Sequence, residues 1–84
     1  LEEAFEIANS VNFGLAGYVF TSSLKNAHLA SENLEVGMVG VNDMMLAAAE
    51  MPFGGVKESG FGREGGSLGI LDYLVPKYTK FKIY

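Results

Sequence analysis

The chain has 84 residues, of which 49% are hydrophobic and 19% charged, and ten acidic residues against six basic ones give a net charge of −4. This composition argues against a disordered protein and against a nucleic-acid binder, and no apolar run approaches the roughly 20 residues that a membrane span needs. With no cysteine and one histidine, His28, the chain itself offers no disulfide, no cysteine nucleophile and no histidine-rich metal site. Because no signal peptide is visible and the sequence begins with Leu1, we expect a fragment of a longer, cytoplasmic protein.

The first predicted element is an amphipathic helix over residues 1–10. Apolar residues recur there at the spacing of one helix face, and three glutamates lie near the N-terminal end, where the helix dipole favours negative charge. The segment 15–21 follows, and its β-branched and aromatic residues predict a buried strand.

A second helix is predicted next, because Ser22 and Ser23 can cap its N-terminus. Gly37 stands where a left-handed C-terminal cap would end this helix. The apolar segment 38–41 predicts a second strand, of the kind found inside a sheet that helices cover on both faces. The inner face of the second helix is expected to comprise Leu24, Ala27, Ser31 and Leu34.

The order helix, strand, helix, strand is half of an α/β unit, in which a crossover makes the second strand parallel to the first. Two strands and two helices cannot close a hydrophobic core of their own. The missing strands must therefore come from elsewhere, and we expect exposed apolar surface on the isolated chain.

Regular structure is predicted to stop after Asn42. Residues 43–66 form a loop with little predicted structure, and loops of this length are uncommon unless they are functional. Ser67 is expected to cap a short helix that Pro76 ends. The apolar positions of this helix are Leu68, Ile70, Leu71 and Leu74.

The tail, residues 77–84, alternates in the manner of a strand. Lysines on one of its faces are typical of an edge strand or of a partly solvated interface. One face carries Thr79, Phe81 and Ile83, and the other carries Tyr78, Lys80, Lys82 and Tyr84.

The segment GFGREG, Gly60 to Gly65, matches the spacing G-x-G-x-x-G of dinucleotide-binding loops. In those loops a strand precedes the glycines, a helix opens at them, and an acidic residue follows about 20 residues later. Here a loop precedes the glycines, and no acid follows Asp72. We therefore interpret the segment as a tight loop whose glycines permit positive φ and close backbone approach.

The remaining polar candidates favour structural roles. His28 lies on the polar part of a helix with no titratable partner to orient it, so we expect a solvated side chain. Ser59 lacks both a nucleophile elbow and a histidine partner. Arg63 is expected to form a structural ion pair with Glu58 or Glu64.

Methionines cluster around the second strand and the loop that follows it. Methionine is flexible and polarizable, so this cluster suits either core filling or the wall of an apolar pocket near the carboxyl end of a strand. The cluster comprises Met38, Met44, Met45 and Met51.

The chain resembles the C-terminal portion of the aldehyde dehydrogenase superfamily in two segments. The first is VGMVGVN, which ends at Asn42, and the second is PFGGVKESGFGREGG, which begins ten residues after Asn42. The opening EEAFEIANSVNFGLAGYVFT resembles the helix and strand that precede these motifs in the family. The segment GREGGSLGILDYLVPKY is most similar to the succinate-semialdehyde dehydrogenase branch. The resemblance covers nearly the whole chain.

The resemblance implies an α/β fold, the C-terminal piece of an aldehyde dehydrogenase catalytic domain with the order helix, strand, helix, strand, long loop, helix. It divides the chain into the end of the catalytic domain (residues 1–60), a glycine-rich loop with a short helix (residues 61–76) and a terminal oligomerisation strand (residues 77–84). The family's strand adds to a sheet of the neighbouring subunit, as an alternating strand at a chain end can.

The resemblance also implies the NAD(P)-dependent oxidation of an aldehyde to an acid. In the family a cysteine thiolate attacks the aldehyde, amides stabilise the oxyanion, hydride passes to the nicotinamide, and a glutamate activates the hydrolytic water. None of these groups belongs to this chain. We therefore expect no catalytic, cofactor-binding or metal-binding residue here, no NAD or NADP bound to the fragment, and no activity of the fragment alone.

Two positions match substrate-contacting sites of the family. Phe53 matches an aromatic residue that lines the substrate tunnel, and Ala47 matches a position at the tunnel mouth. In succinate-semialdehyde enzymes that position is commonly a serine that helps to bind the substrate carboxylate, and in several other branches it is aromatic. Alanine fits neither pattern, so we expect the loop from Asp43 to Phe53 to give a wider and more apolar tunnel wall.

The partners implied are a small-molecule aldehyde, the remainder of the parent chain, and further copies joined through the C-terminal strand, with Phe81 and Ile83 buried. Two alternatives remain open. One is a non-enzymatic interaction module that pairs through its exposed sheet edges. The other is an aldehyde dehydrogenase-like scaffold whose upstream half lacks the cysteine.

Overall fold

A computed structural model describes residues 1–83, and Tyr84 lies outside the described residues. The described residues form helices and short strands in one chain, as an α/β fragment should. In chain order they are α1 (Glu2–Ala8), β1 (Phe13–Gly14), β2 (Ala16–Val19), α2 (Leu24–Asn33), β3 (Met38–Val41), β4 (Val56–Lys57) and a 3₁₀ helix (Gly69–Tyr73).

The crossover from β2 through α2 to β3 is the α/β unit that the sequence predicts. Strands β2 and β3 are parallel, with Ala16 opposite Met38 and Val19 opposite Val41. A second pair, β1 with β4, is antiparallel and joins Phe13 to Lys57. This second pair was not predicted, because two-residue strands leave no alternating pattern in the sequence.

Helix α2 begins as expected and ends differently. The Ser23 side chain accepts a hydrogen bond from the Asn26 backbone N–H at 3.2 Å, which confirms the N-terminal cap. The helix ends at Leu34 in an extended conformation, and Gly37 does not adopt the left-handed conformation predicted for it. Gly37 is needed for space instead, because a Cβ there would collide with the Gly54 carbonyl oxygen.

The inner face of α2 is also shifted from the predicted one. Ala30 is buried, whereas Leu24 and Ser31 are exposed. Ala27 and Leu34 are half-buried, so they belong to the face as predicted. The periodicity identified the helix correctly, but the assignment of Leu24 and Ser31 to its inner face was wrong, because Ala30 is the residue of α2 that is buried.

The segment after β3 is more ordered than the prediction of a loop over residues 43–66. It contains β4 and an isolated bridge between Phe53 and Glu64. The short helix that follows is a 3₁₀ helix whose N-cap is Leu68, without a side-chain cap, so the predicted Ser67 cap is wrong. The Gly69 N–H bonds to the Gly65 carbonyl at 3.0 Å instead.

Residues 74–83 have no regular secondary structure, so the strand predicted for residues 77–84 is not formed in the single chain. Its last residue, Tyr84, lies outside the described part. Phe81 and Ile83 are 83% and 91% exposed, which leaves their burial in an oligomer a prediction.

The chain has almost no core. Among residues 1–83 the one buried apolar side chain is that of Ala30, and the other buried residues are glycines. Most of the large apolar residues are exposed. The accessible surface is 6981 Å², against about 4,900 Å² for a compact monomer of this mass. The radius of gyration is 17.6 Å, against about 12 Å for a compact domain of this length. The expectation of exposed apolar surface is confirmed.

In residues 1–83 there is no helix of the length and apolar character required to cross a bilayer. The same residues contain no group of three or more histidine, cysteine, aspartate or glutamate side chains placed to hold a metal ion.

Candidate functional site

Asn42 fixes the point at which the chain leaves the parallel sheet. It follows β3 directly and adopts a left-handed φ of +56°. Its side chain bonds to the backbone that follows β2. Its Oδ1 accepts from the Thr21 N–H at 2.8 Å, and its Nδ2 donates to the Thr21 carbonyl at 2.9 Å. The two strand ends are thereby tied together, and the loop from Asp43 starts from a defined position.

Phe53 is held at the other end of that loop by a two-residue bridge. Its N–H donates to the Glu64 carbonyl at 2.7 Å, and the Glu64 N–H donates back to the Phe53 carbonyl at 2.8 Å. A pair of reciprocal backbone hydrogen bonds fixes both the position and the orientation of the Phe53 backbone.

Ala47 and Phe53, the two predicted substrate-contacting residues, line the same concave surface. They share two adjoining cavities, one of about 200 Å³ and one of about 500 Å³. The smaller cavity has no charged side chain in its lining, and the larger has one, Glu64. Besides the shared pair, the smaller is lined by Leu15, Ala16, Tyr18, Met38, Met44, Met45 and Leu46, and the larger by Ala48, Ala49, Glu64 and Gly65.

The methionines contribute to this surface rather than to a core. Met38, Met44 and Met45 all line the smaller cavity, whereas Met51 lines neither of the two. Met38 is half-buried, and the other three are exposed. Of the two interpretations left open by the sequence, core filling and a pocket wall, the geometry favours the wall for three of the four.

The glycine loop, defined here as residues 60–66, is the tight loop predicted from the sequence. Gly60 and Gly62 have φ values of +117° and +80°, a region that side chains rarely adopt. The Arg63 N–H, which points into the turn, donates to the Asp72 carboxylate at 2.6 Å. A carboxylate at this place would repel a diphosphate, so the loop does not fit a dinucleotide.

Arg63 does not form the ion pair predicted for it with Glu58 or Glu64. Its guanidinium donates from Nη1 to the carbonyl oxygens of Gly55 and Gly62, at 2.9 and 2.8 Å. The prediction was wrong because the backbone carbonyls of two tight turns lie closer to the guanidinium than either carboxylate.

An ion pair is found instead between Lys57 and Glu35, at 3.2 Å. The same Lys57 Nζ donates to the carbonyl oxygens of Asn9 and Val11, at 3.2 and 3.3 Å. Sequence reasoning missed this group, because its members lie on three separate elements. A lysine with a left-handed φ, +55° here, is recognisable only in the structure.

Ser59 and His28 have the structural roles that the sequence favoured. The Ser59 hydroxyl accepts a hydrogen bond from the buried Gly14 N–H at 2.9 Å, which joins the loop to β1. His28 is exposed on α2. Neither residue has the geometry of a nucleophile with its base.

Comparison with known proteins identifies the family. A profile described as "Aldehyde dehydrogenase family" matches residues 1–79. The chain is 50% identical over 80 residues to the succinate semialdehyde dehydrogenase of Acinetobacter baylyi, an alignment that covers 95% of this chain and 17% of that protein.

Solved structures agree. The chain superposes with a TM-score of 0.84 on a succinate-semialdehyde dehydrogenase from Burkholderia pseudomallei, at 46% identity over 88% of this chain and 15% of that one. The TM-score is also 0.84 for a betaine aldehyde dehydrogenase from Staphylococcus aureus in complex with NAD⁺, at 42% identity over the same shares.

The chain therefore spans 15–17% of the length of these relatives. The resemblance found in its motifs, including the similarity to the succinate-semialdehyde dehydrogenase branch, is confirmed by sequence and by structure. A profile match over nearly the whole chain, together with identities near one half, leads to one conclusion: this chain belongs to the aldehyde dehydrogenase family.

Proposed function

We propose that this chain is the C-terminal part of an NAD(P)-dependent aldehyde dehydrogenase, to which it contributes a wall of the substrate tunnel and an oligomerisation segment. The observation that carries the proposal is the shared position of Ala47 and Phe53 on one apolar concave surface. A tunnel that admits an aldehyde needs such a surface, because apolar walls bind the hydrocarbon part of the substrate.

The chemistry itself belongs to other segments of the parent. NAD or NADP supplies the hydride acceptor when it is bound, and the sequence here has no cysteine to act as a nucleophile. Because the Arg63 N–H of the glycine loop already donates to Asp72, this loop does not hold the cofactor. The residues of this chain orient and enclose the substrate instead. The isolated chain is accordingly inactive and binds no dinucleotide.

The substrate is an aldehyde, and the similarity to succinate-semialdehyde dehydrogenases favours a semialdehyde. The two cavities that Ala47 and Phe53 share are lined by no lysine or arginine, so they offer no counter-charge to a substrate carboxylate. Arg63 lines a third cavity beside Phe53, and its Nη1 donates there to the carbonyl oxygens of Gly55 and Gly62. The loop from Asp43 to Phe53 therefore suits a substrate with a neutral or long apolar chain better than one that carries a carboxylate.

Kinetics of the complete enzyme with succinate semialdehyde and with butanal, a neutral aldehyde of the same carbon number, test the wall. We expect a kcat/KM for butanal at least as high as that for succinate semialdehyde. An Ala47→Ser variant should raise the value for succinate semialdehyde alone, because a hydroxyl is restored beside the carboxylate. A strong preference of the unmodified enzyme for succinate semialdehyde contradicts the apolar-wall hypothesis and leaves the family reaction standing.

We propose further that residues 77–84 become a strand on association with another subunit. The support is their alternating pattern and the exposure of Phe81 and Ile83. Truncation before Lys77 in the complete enzyme should convert the oligomer into smaller species, as measured by light scattering after size exclusion. A truncated enzyme that stays fully oligomeric contradicts this role.

The extent of exposed apolar surface also favours a second candidate, an interaction module that uses the fold without catalysis. The coding sequence upstream of Leu1 separates the two. A nucleotide-binding segment followed by a cysteine-containing motif supports the enzyme, a similar segment without the cysteine supports an inactive scaffold, and a start codon directly before Leu1 supports the module.

A further inference from the structure

The carboxylate of Asp72 faces the glycine loop, where it accepts a backbone hydrogen bond. Asp72 lies in the 3₁₀ helix, and its Oδ2 accepts the hydrogen bond from the Arg63 backbone N–H at 2.6 Å. It lines a third cavity, of about 540 Å³, that Phe53 also lines, but neither of the two cavities that Ala47 and Phe53 share. We propose that Asp72 is a positioning residue that acts through the glycine loop on Phe53 and so on substrate binding. This inference rests on the proposed function of Phe53.

The path from Asp72 to Phe53 consists of hydrogen bonds at its two ends and the peptide bond between Arg63 and Glu64 in the middle. Asp72 holds the backbone of Arg63, and Arg63 is followed directly by Glu64. Glu64 exchanges two backbone hydrogen bonds with Phe53, at 2.7 and 2.8 Å. The Arg63 side chain closes the loop from the other side through its bond to the Gly55 carbonyl at 2.9 Å. A shift of the Arg63 backbone therefore shifts the bridge that carries Phe53.

Asp72 is exposed, and its position is limited by a hydrogen bond at the start of its helix and by its close approach to Gly62. The Gly69 N–H at the start of the 3₁₀ helix donates to the Gly65 carbonyl at 3.0 Å. A Cβ built on Gly62 would lie 2.5 Å from Asp72 Oδ2. Only glycine lets the loop approach the carboxylate this closely, so Gly62 and Asp72 are matched to one another. This matching gives the G-x-G segment a purpose other than cofactor binding.

The test uses the complete enzyme with three variants, Asp72→Ala, Phe53→Ala and the double variant. Loss of a charge-assisted hydrogen bond that orders the wall should raise the KM of Asp72→Ala about five- to tenfold while kcat stays within about twofold. In the Phe53→Ala background the second substitution should leave KM unchanged, because the side chain through which Asp72 acts is gone. Asp72→Asn, which keeps an acceptor oxygen, should restore most of the KM.

A KM that rises equally in both backgrounds, or that does not rise with Asp72→Ala alone, overturns the inference. A purely structural role would lower thermal stability in both backgrounds without this dependence on Phe53. Gly62→Ala should imitate Asp72→Ala, whereas Gly60→Ala is the matched control. Both glycines have positive φ, but a Cβ on Gly60 meets nothing within 4 Å. Equal effects of the two alanine variants also count against the inference.

Hydrogen exchange of the Phe53 and Glu64 amides separates this inference from the proposed function. Asp72→Ala should accelerate their exchange about fivefold, and unchanged exchange overturns the positioning role whatever the kinetics show. If Phe53→Ala leaves KM unaltered, Phe53 is not part of the tunnel and the proposed site fails. Accelerated exchange in that case would still support the link from Asp72 to the bridge and overturn only its proposed consequence for the substrate.

Discussion

Lys57 joins three parts of the chain through a single amino group, so its removal should loosen all three together. The Nζ lies 3.2 Å from the Asn9 carbonyl, 3.3 Å from the Val11 carbonyl and 3.2 Å from Glu35 Oε2. These acceptors lie at the end of α1, in the segment before β1, and just beyond α2. The informative substitution is Lys57→Met, which keeps the length of the side chain and the left-handed backbone but removes the charge.

The magnitude follows from the exposure of the group. The Lys57 side chain is 28% exposed and that of Glu35 is 57% exposed, so the ion pair itself contributes less than about 1 kcal/mol. The two hydrogen bonds to carbonyl oxygens, weakened by water, add roughly 0.5 kcal/mol each. The local free energy of opening should therefore fall by about 1–2 kcal/mol, which accelerates exchange of the amides that depend on it about 5- to 30-fold.

Hydrogen exchange of the protein that carries this segment measures the effect. The reporting amides are those of Glu58, bonded to the Asn12 carbonyl, and of Glu35, bonded to Asn9 Oδ1. Lys25→Met on α2 is the control, because it changes the net charge equally at a side chain for which no ion pair is found in residues 1–83. If both variants exchange alike at these amides, the role of Lys57 is refuted.

Two further predictions concern the joints and the missing core. Ser59→Ala should destabilise the protein by about 1–3 kcal/mol, because it leaves the buried Gly14 N–H without its acceptor. Ser59→Thr keeps a hydroxyl and should retain most of the stability. Equal thermal midpoints for the serine and alanine forms contradict the role of this hydrogen bond. The 84-residue chain alone exposes roughly 2,000 Å² more than a compact monomer would, an area comparable to a standard protein interface. It should therefore self-associate and bind a hydrophobic dye without a cooperative melt, and a monomeric, cooperatively melting chain contradicts the incomplete fold.

The predicted elements that proved correct are those whose signals are local. Helix α1, the serine cap of α2 and the parallel pairing of β2 with β3 follow from spacing, capping chemistry and the crossover rule. The strands β1 and β4 are only two residues long, and their paired residues lie more than 40 positions apart in the sequence. No periodic pattern therefore predicts this pair. The family motifs, in contrast, identified the whole chain.

Three of the wrong predictions share a physical cause, which is that the group in contact is a backbone carbonyl oxygen. Gly37 was expected to cap a helix by its conformation, but it is there to let the Gly54 carbonyl approach. Ser67 was expected to cap the last helix, but the carbonyl of Gly65 accepts the N–H of Gly69. Arg63 was expected to meet a carboxylate side chain, and it meets two carbonyls. Partners of this kind depend on long-range backbone geometry that side-chain spacing does not encode.

Polar contacts also take the place of apolar packing in holding the surface that we propose as a wall of the substrate tunnel. Apolar burial within the described residues is limited almost to Ala30, so it cannot fix the loop from Asp43 to Phe53. Both ends of that loop are fixed by hydrogen bonds instead: at Asn42 through its side chain and at Phe53 through its bridge to Glu64. Hydrogen bonds are directional, whereas apolar contact is not, so the loop ends can be placed accurately before a neighbouring segment covers them. Substitutions at Asn42 should therefore displace the backbone of this loop more than equally large changes at Met44 or Met45, whose exposed side chains line the smaller cavity but hold no hydrogen bond of the loop ends.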